Sequence, residues 1–221
     1  MQIAPGVHLI PGRVVNQYLI VDDDGLTLVD TGLAGNDKKI LQYMASLGHA
    51  PGALRRIVIT HADGDHVGAL AALKKATGAR VYASAVEAEA IAAGRMSRPL
   101  KVSGLIGLLM GITRPFFQAA PATVDEKVSD GQVLPALGGL RVVETPGHTP
   151  GHVSYFAPSA GILFVGDSLV SSGGTLRASR GMNTWDEARA LESVRLQAAL
   201  GACIVCPAHG PVVQDARFPQ V

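Results

Sequence analysis

Within six residues the chain carries His61, Asp63, Asp65 and His66, separated by the small residues Ala62 and Gly64. Imidazole and carboxylate groups bind divalent cations, and small residues between them let the backbone fold tightly around an ion. Taken alone, the run also reads as a solvated turn, because Asp and Gly are ordinary turn formers. Further along stand His148 in Thr-Pro-Gly-His, Asp167 after Gly166, and His209 in Pro-Ala-His-Gly. With these three added, the turn reading weakens and a metal centre becomes the stronger one. A divalent ion bound by such residues would make a coordinated water acidic and polarise a carbonyl or phosphoryl oxygen. Hydrolysis is one chemistry such a centre supports, and it requires no serine or cysteine nucleophile.

The elements that must position these residues are apolar strands. LTLV ends in Asp30, RIVIT in His61, VVET in TPGHTPGH, ILFVG in Asp167 and CIVC in PAHG. Loops at one edge of an α/β sheet converge, so residues distant in sequence can meet there. Of seven histidines, His61, His66, His148 and His209 occupy such positions, whereas His8 and His49 do not. The seventh, His152, follows His148 by four residues, but Pro150 and Gly151 prevent a helical pair. A role in supporting other ligands is the expectation for it.

Strands are expected at Gln17 to Val21 and Leu26 to Asp30, joined through an Asp-Gly hairpin signal, then at Arg55 to Thr60 and at RVYAS. Helical spacing marks Ile40, Leu41, Met44 and Leu47, then Leu70 and Leu73, then AVEAEAIAAG. Later strands are LRVVET, HVSYF, GILFV and ACIVC, and Thr184 with Glu187 spells a capping box for a helix carrying Leu191, Val194 and Ala198. This alternation implies a mixed sheet or sheets covered by helices, in one domain spanning residues 1–221. Cys203 and Cys206 sit in ACIVC, where a strand's period of two sends them to opposite faces, so two small core residues are expected rather than a redox pair.

With a net charge of +1 and 48% hydrophobic residues, the chain has a large core and no field for holding a nucleic acid. Neither an export leader nor an apolar run long enough for a membrane span is found, so a cytoplasmic location is expected. One variable segment, at about residues 94–118, stands apart: between Ala90 and Val124 lie Arg95, Arg98, Lys101 and Arg114 with no acidic residue, plus GLIGLLMGI and the pair Phe116-Phe117. Arg95, Arg98, Lys101, Phe116 and Phe117 are the candidates for a substrate lid that selects an anionic or lipophilic group, a homodimer contact or an extra helix packing on the core being the other uses of such a stretch.

In this order, LVDTG, THADGDH, TPGHTPGH, Gly166-Asp167 and PAHG resemble the metallo-β-lactamase-fold hydrolases, over nearly the whole chain. The resemblance implies an α/β fold, an αβ/βα four-layer sandwich of two mixed β-sheets. It implies two divalent metal ions, zinc first, with iron or manganese as alternatives. His61 and His148 would then serve a first metal, Asp65, His66 and His209 a second, and Asp167 would bridge. Asp63 stands where the family usually has His; a carboxylate still binds a metal, and a first-site role is expected for it. Asp30 resembles the family's early aspartate, which orients ligands by hydrogen bonding. The implied activity is attack of a metal-bound hydroxide, oriented by Asp65, on a small-molecule ester, thioester or lactone.

Several rivals share these residues. Gly166-Asp167-Ser168-Leu169 spells the motif of GDSL serine esterases, but it lies late in the chain, and Cys206 stands where their aspartate would precede the last histidine. A carboxylate at position 63 also fits a non-haem iron redox protein or dioxygenase, as in flavodiiron proteins, although no flavodoxin-like domain accompanies it. A β-lactam hydrolase would call for an export signal. Glyoxalase II-like enzymes carry an extra C-terminal helical region, whereas twelve residues follow His209.

Overall fold

The computed structural model describes residues 1–12, 14–99 and 119–219, so Lys101, Phe116 and Phe117 of the expected lid lie outside the described residues. One sheet places β1 (Gln2–Ala4), β2 (Val7–Ile10), β3 (Gln17–Asp22), β4 (Gly25–Val29), β5 (Leu54–Val58), β6 (Arg80–Ser84) and β7 (Glu126–Val128) side by side in chain order. Pairing is antiparallel up to β4 and parallel from β4 onward. Hairpins suffice for the first half, while the parallel half needs crossovers, which α1 (Asp37–Ser46), α2 (Gly64–Val67), α3 (Leu70–Thr77) and α4 (Ala85–Ala92) provide.

The second sheet contains β8 (Val133–Leu134), β9 (Leu140–Glu144), β10 (Val153–Ala157), β11 (Ile162–Gly166), β14 (Ile204–Pro207) and β15 (Val213–Gln214), in the order β15-β14-β11-β10-β9-β8. Only β11 and β14 run parallel in it, and α5 (Glu187–Ala199) lies on the connection between them. A separate hairpin of β12 (Leu169–Ser172) and β13 (Thr175–Ala178) follows Asp167.

Strand alternation generates the layers. Leu19, Leu26, Leu28, Ile57 and Val81 pack against Ile40, Met44, Leu70 and Leu73 of the helices. Their neighbours Tyr18, Ile20, Val29, Val58 and Tyr82 point the other way and meet Val142, Tyr155, Phe164 and Cys206 of the second sheet. That sheet's remaining face, with Val143, Phe156, Leu163, Val165 and Val205, covers Val194 of α5. Helix, sheet, sheet and helix therefore stack in four layers, as the sequence resemblance implies.

Buried polar bonds lock the two sheets together at one edge. Tyr18 donates its hydroxyl to the Pro207 carbonyl (2.7 Å) and Tyr155 donates to that of Ile59 (2.8 Å). The Val153 N–H bonds the Thr60 carbonyl at 3.0 Å, and that of Asn16 bonds the Ala208 carbonyl at 2.8 Å. These contacts fall where β4, β5, β11 and β14 end, which is where Asp30, His61, Asp167 and His209 emerge.

Two local expectations are corrected. Asp186, not Thr184, caps α5, accepting from the Arg189 N–H at 3.1 Å, because Thr184 is buried and its hydroxyl is bonded to Ser179 instead. Cys206 is a core residue, but Cys203 is exposed, since the strand begins only at Ile204. The N-terminal β1 and β2 are also additions, too short for alternation to reveal them in the sequence.

Gly166 ends β11 with φ of +51°, and a Cβ there would lie 2.7 Å from both His152 Nε2 and Thr60 Oγ1. Gly166→Ala should therefore cost about 2 kcal/mol through strain and overpacking. Thermal unfolding checks this: the midpoint should fall by roughly 4–8 °C, and an unchanged midpoint would show that the edge can relax.

Candidate metal centre

Asp30 organises one side of the centre. Its backbone is left-handed, with φ of +56°, an uncommon conformation for a residue with a Cβ. The conformation aims the carboxylate across the sheet edge, where it accepts from the Thr60 N–H (2.9 Å), the Thr60 hydroxyl (2.7 Å) and His66 Nδ1 (2.9 Å). Because the Thr60 proton is committed to Asp30, its oxygen accepts from His61 Nδ1 at 3.0 Å. Both imidazoles thus carry their hydrogen on Nδ1 and turn Nε2 inward.

The opposite side is built by the same rule. His209 Nδ1 lies 2.9 Å from the Val14 carbonyl, which can only accept, so Nε2 faces Asp167 Oδ2 (3.3 Å) and Asp65 Oδ2 (3.5 Å). His148 Nδ1 meets Ser179 Oγ at 3.0 Å, and Ser179 is backed by Thr184 at 2.8 Å. His148 Nε2 then lies 3.2 Å from Asp63 Oδ2 and 3.5 Å from Asp167 Oδ2. His152 plays a different part. Its Nε2 accepts from the Asp167 N–H at 3.1 Å, and its Nδ1 rests on Thr145 Oγ1 at 2.9 Å. Burial, joined by the neighbouring imidazoles, holds its pKa well below the ordinary value, so the ring stays neutral and keeps that accepting lone pair.

Three overlapping sets result: His61 with His66 and Asp167, His61 with Asp63 and His148, and Asp65 with His66 and His209. Among the described residues, the buried atoms His61 Nε2, His66 Nε2, Asp63 Oδ1 and Asp167 Oδ1 have no hydrogen-bond partner. Polar atoms left unpaired in a buried place are costly, and positive charge, as a proton or as a metal ion, is the partner that would satisfy the imidazoles and carboxylates together. The donor set fits a metal ion on that ground.

Electrostatics point the same way. Hydrogen bonds to Asp167 and Asp65 push the His209 pKa up to about 10. Burial opposes charge on His66, yet the Asp167, Asp30 and Asp65 carboxylates overcome it and raise its pKa well above the ordinary value. Burial likewise works against ionised Asp167, but His66 and His209 hold its pKa well below the carboxylate range. These carboxylates demand positive charge, which a divalent ion supplies by displacing the two protons.

Glu87 is a residue that the sequence reading missed. Fully buried in α4, its Oε2 accepts from the Ala62 N–H at 2.8 Å, and its Oε1 accepts from Thr149 (2.7 Å), Ser97 (2.9 Å) and the Gly151 N–H (3.1 Å). It ties the loop of His61 to the loop of His148 and to the chain leading into Arg98. Its spacing of four from buried Ile91, on one helical face, was the available signal.

Arg98, expected in a lid, is buried inside the centre with Nη2 at 2.5 Å from Asp63 Oδ2. Arg95 is exposed and donates to the Met96 carbonyl, away from the ligands. An open cleft of about 690 Å³ leads to His148, Asp167 and His209, with Arg177 and Arg180 on its wall.

Residues 10–209 match the family model described as the metallo-beta-lactamase superfamily. The chain is 29% identical over 210 residues to the uncharacterized protein YobT of Bacillus subtilis, covering 91% of this chain and 85% of that one. It is 31% identical to a hydroxyacylglutathione hydrolase of Cereibacter sphaeroides over 79% of its own length, and spans just 56% of that enzyme. Among solved structures, a metallo-beta-lactamase family protein from Thermus thermophilus superposes with a TM-score of 0.74 at 25% identity, covering 97% of this chain and 76% of that one.

Glu87→Ala should strand the Ala62 and Gly151 N–H groups and the Thr149 hydroxyl, for a loss of about 3 kcal/mol. The unfolding midpoint should drop by roughly 6–12 °C, with a smaller drop for Glu87→Gln, which keeps the side chain's shape. A midpoint equal to the parent's would mean that Glu87 does not hold the loops.

Proposed function

The chain belongs to the metallo-beta-lactamase superfamily, and from that premise we propose that it is a metal-dependent hydrolase acting on a small acyl ester, thioester or lactone. The observation that carries the reading is the set of inward, unpaired imidazole and carboxylate atoms. Asp65, His66, His209 and Asp167 are the residues that would hold an ion, zinc first and iron or manganese as alternatives. Bound there, the ion would act as a Lewis acid, making water acidic and polarising the acyl oxygen. The hydrolytic reading holds for one ion or for two.

The chain's own residues do the rest. Asp65, partly exposed beside His209, orients the attacking water and accepts its hydrogen bond. Asp30 and Thr60 fix the His66 and His61 rings with Nε2 turned inward, so the rings would need no rotation to meet an ion. His152 fixes the Asp167 backbone.

Substrate class follows from the cleft wall and from one relative. Arg177 and Arg180 outnumber Asp167 among the charged residues lining the cleft, which favours a substrate with an anionic group beside the acyl carbon. A relative carries the name hydroxyacylglutathione hydrolase, which places an acyl thioester ahead of a simple ester. A cytoplasmic location suits such a substrate and belongs to the same proposal.

Chelation should abolish thioester and ester hydrolysis, and added zinc should restore it; undiminished activity in protein stripped of metal would sink the reading, as would oxygen uptake without hydrolysis. His66→Ala should lower turnover more than about 100-fold, above the span found for outer partners, whereas His49→Ala should leave it unchanged.

Arg177→Ala should raise KM for an anionic thioester severalfold relative to a neutral one, with kcat little altered. Equal changes for the two substrates would remove the anionic preference.

A further inference from the structure

Asp63, His61 and His148 form the set in which a first ion would sit, and a side chain already lies there. Arg98 Nη2 is 2.5 Å from Asp63 Oδ2 and 3.4 Å from His148 Nε2. The residue is 6% exposed, and its Nε and Nη1 are buried without a hydrogen-bond partner among the described residues. We propose that the Arg98 guanidinium takes the place of the first metal ion, so that the chain holds one divalent ion, at Asp65, His66, His209 and Asp167. This rests on the metal-dependent reading above and narrows it.

Two physical arguments converge. The first concerns lone pairs. An ion held by Asp63 and His148 needs the inward oxygen of one and the inward nitrogen of the other, and both face the same guanidinium nitrogen. The second is charge. A guanidinium cannot shed its proton at any ordinary pH, and in a buried site a divalent ion beside it would meet a fixed like charge at close range. Asp63 and Arg98 cancel as a pair, while Asp65 and Asp167 together match one divalent ion. An imidazole at position 63 would leave the guanidinium without a counter-charge, so the aspartate there and the arginine at 98 form one device. Glu87 supports it by bonding Ser97, the residue before Arg98, at 2.9 Å.

The experiment is a metal titration of the full-length protein after chelation, read by the visible absorption of added cobalt(II) and by native mass spectrometry with zinc. The parent chain should saturate at one equivalent. Arg98→Ala and Arg98→Met, which remove the charge with and without the bulk, should saturate at two. Asp63→Asn should still bind one equivalent, within about threefold of the parent affinity. Two tight equivalents in the parent would overturn the inference and leave the hydrolase reading standing. One equivalent in the Arg98 variants, or loss of the ion in Asp63→Asn, would also overturn it. No binding by the parent would overturn the metal-dependent reading itself. The parent measurement decides the matter even if an Arg98 variant fails to fold.

Discussion

The orientation of the Asp30 carboxylate is the constraint on which the centre depends. It accepts three hydrogen bonds from Thr60 and His66, and through the Thr60 hydroxyl it also decides the tautomer of His61. Had either ring reversed its tautomer, a hydrogen would point at a carboxylate or a neighbouring ring where a lone pair is needed. The cost is a left-handed backbone at a residue with a Cβ, a strain of order 1–3 kcal/mol that persists only because the packed edge over-determines it. Parallel β4 and β5 on one sheet, and parallel β11 and β14 on the other, bring their ends to that edge. Tyr18 and Tyr155 then hold the edges in register.

Gathering so many charges works against folding, and the fold manages it by distributing counter-charge rather than by excluding it. Asp63 is held well below the carboxylate range although burial opposes its charge, because the His148 and His61 rings and the Arg98 guanidinium surround it. Asp167 reaches the same state through His66 and His209. The two halves differ in kind: Arg98 is a fixed cation covalently part of the chain, while His66 and His209 carry exchangeable protons. Fixed charge suits a place that needs permanent filling, and exchangeable charge suits a place meant to take an ion.

How much of this was legible in the sequence depends on what kind of signal each residue leaves. His61, Asp63, Asp65, His66, His148, Asp167 and His209 follow apolar strands, so their type and position both point to one edge, and the structure gathers them. The layers were legible through alternation, since Tyr18 and Leu19, or Tyr155 and Phe156, belong to different faces by parity alone. Glu87, Ser179 and Thr184 were not, because Glu87 and Ser179 act through hydrogen bonds to loops distant in sequence and Thr184 acts by backing Ser179. Thr184 misled outright: its spacing from Glu187 matches a capping box, but tertiary demand from His148 claimed its hydroxyl. Arg98 was noticed for its charge and assigned to a substrate lid, since the run around it carries no acid of its own. Its counter-charge lay 35 positions away in Asp63.

The two kinds of cation respond to pH in different ways. His209, raised to about 10 from an ordinary 6.5, stabilises the ion-free fold fully below pH 6.5 and loses that contribution as pH rises through about 10. Asp65 and Asp167, with lowered pKa values, contribute above their ordinary carboxylate range and lose that contribution as pH falls through the folded values. An ion competes with the His66 and His209 protons, so its affinity strengthens over the interval in which the protons' stabilisation fades. Positive charge is therefore present between the two carboxylates throughout, first as protons and then as metal. At Asp63 no such exchange takes place, because a guanidinium stays charged across the whole range. The centre combines a half whose positive charge is exchangeable, at His66 and His209, with a half whose cation, Arg98, is covalently part of the chain.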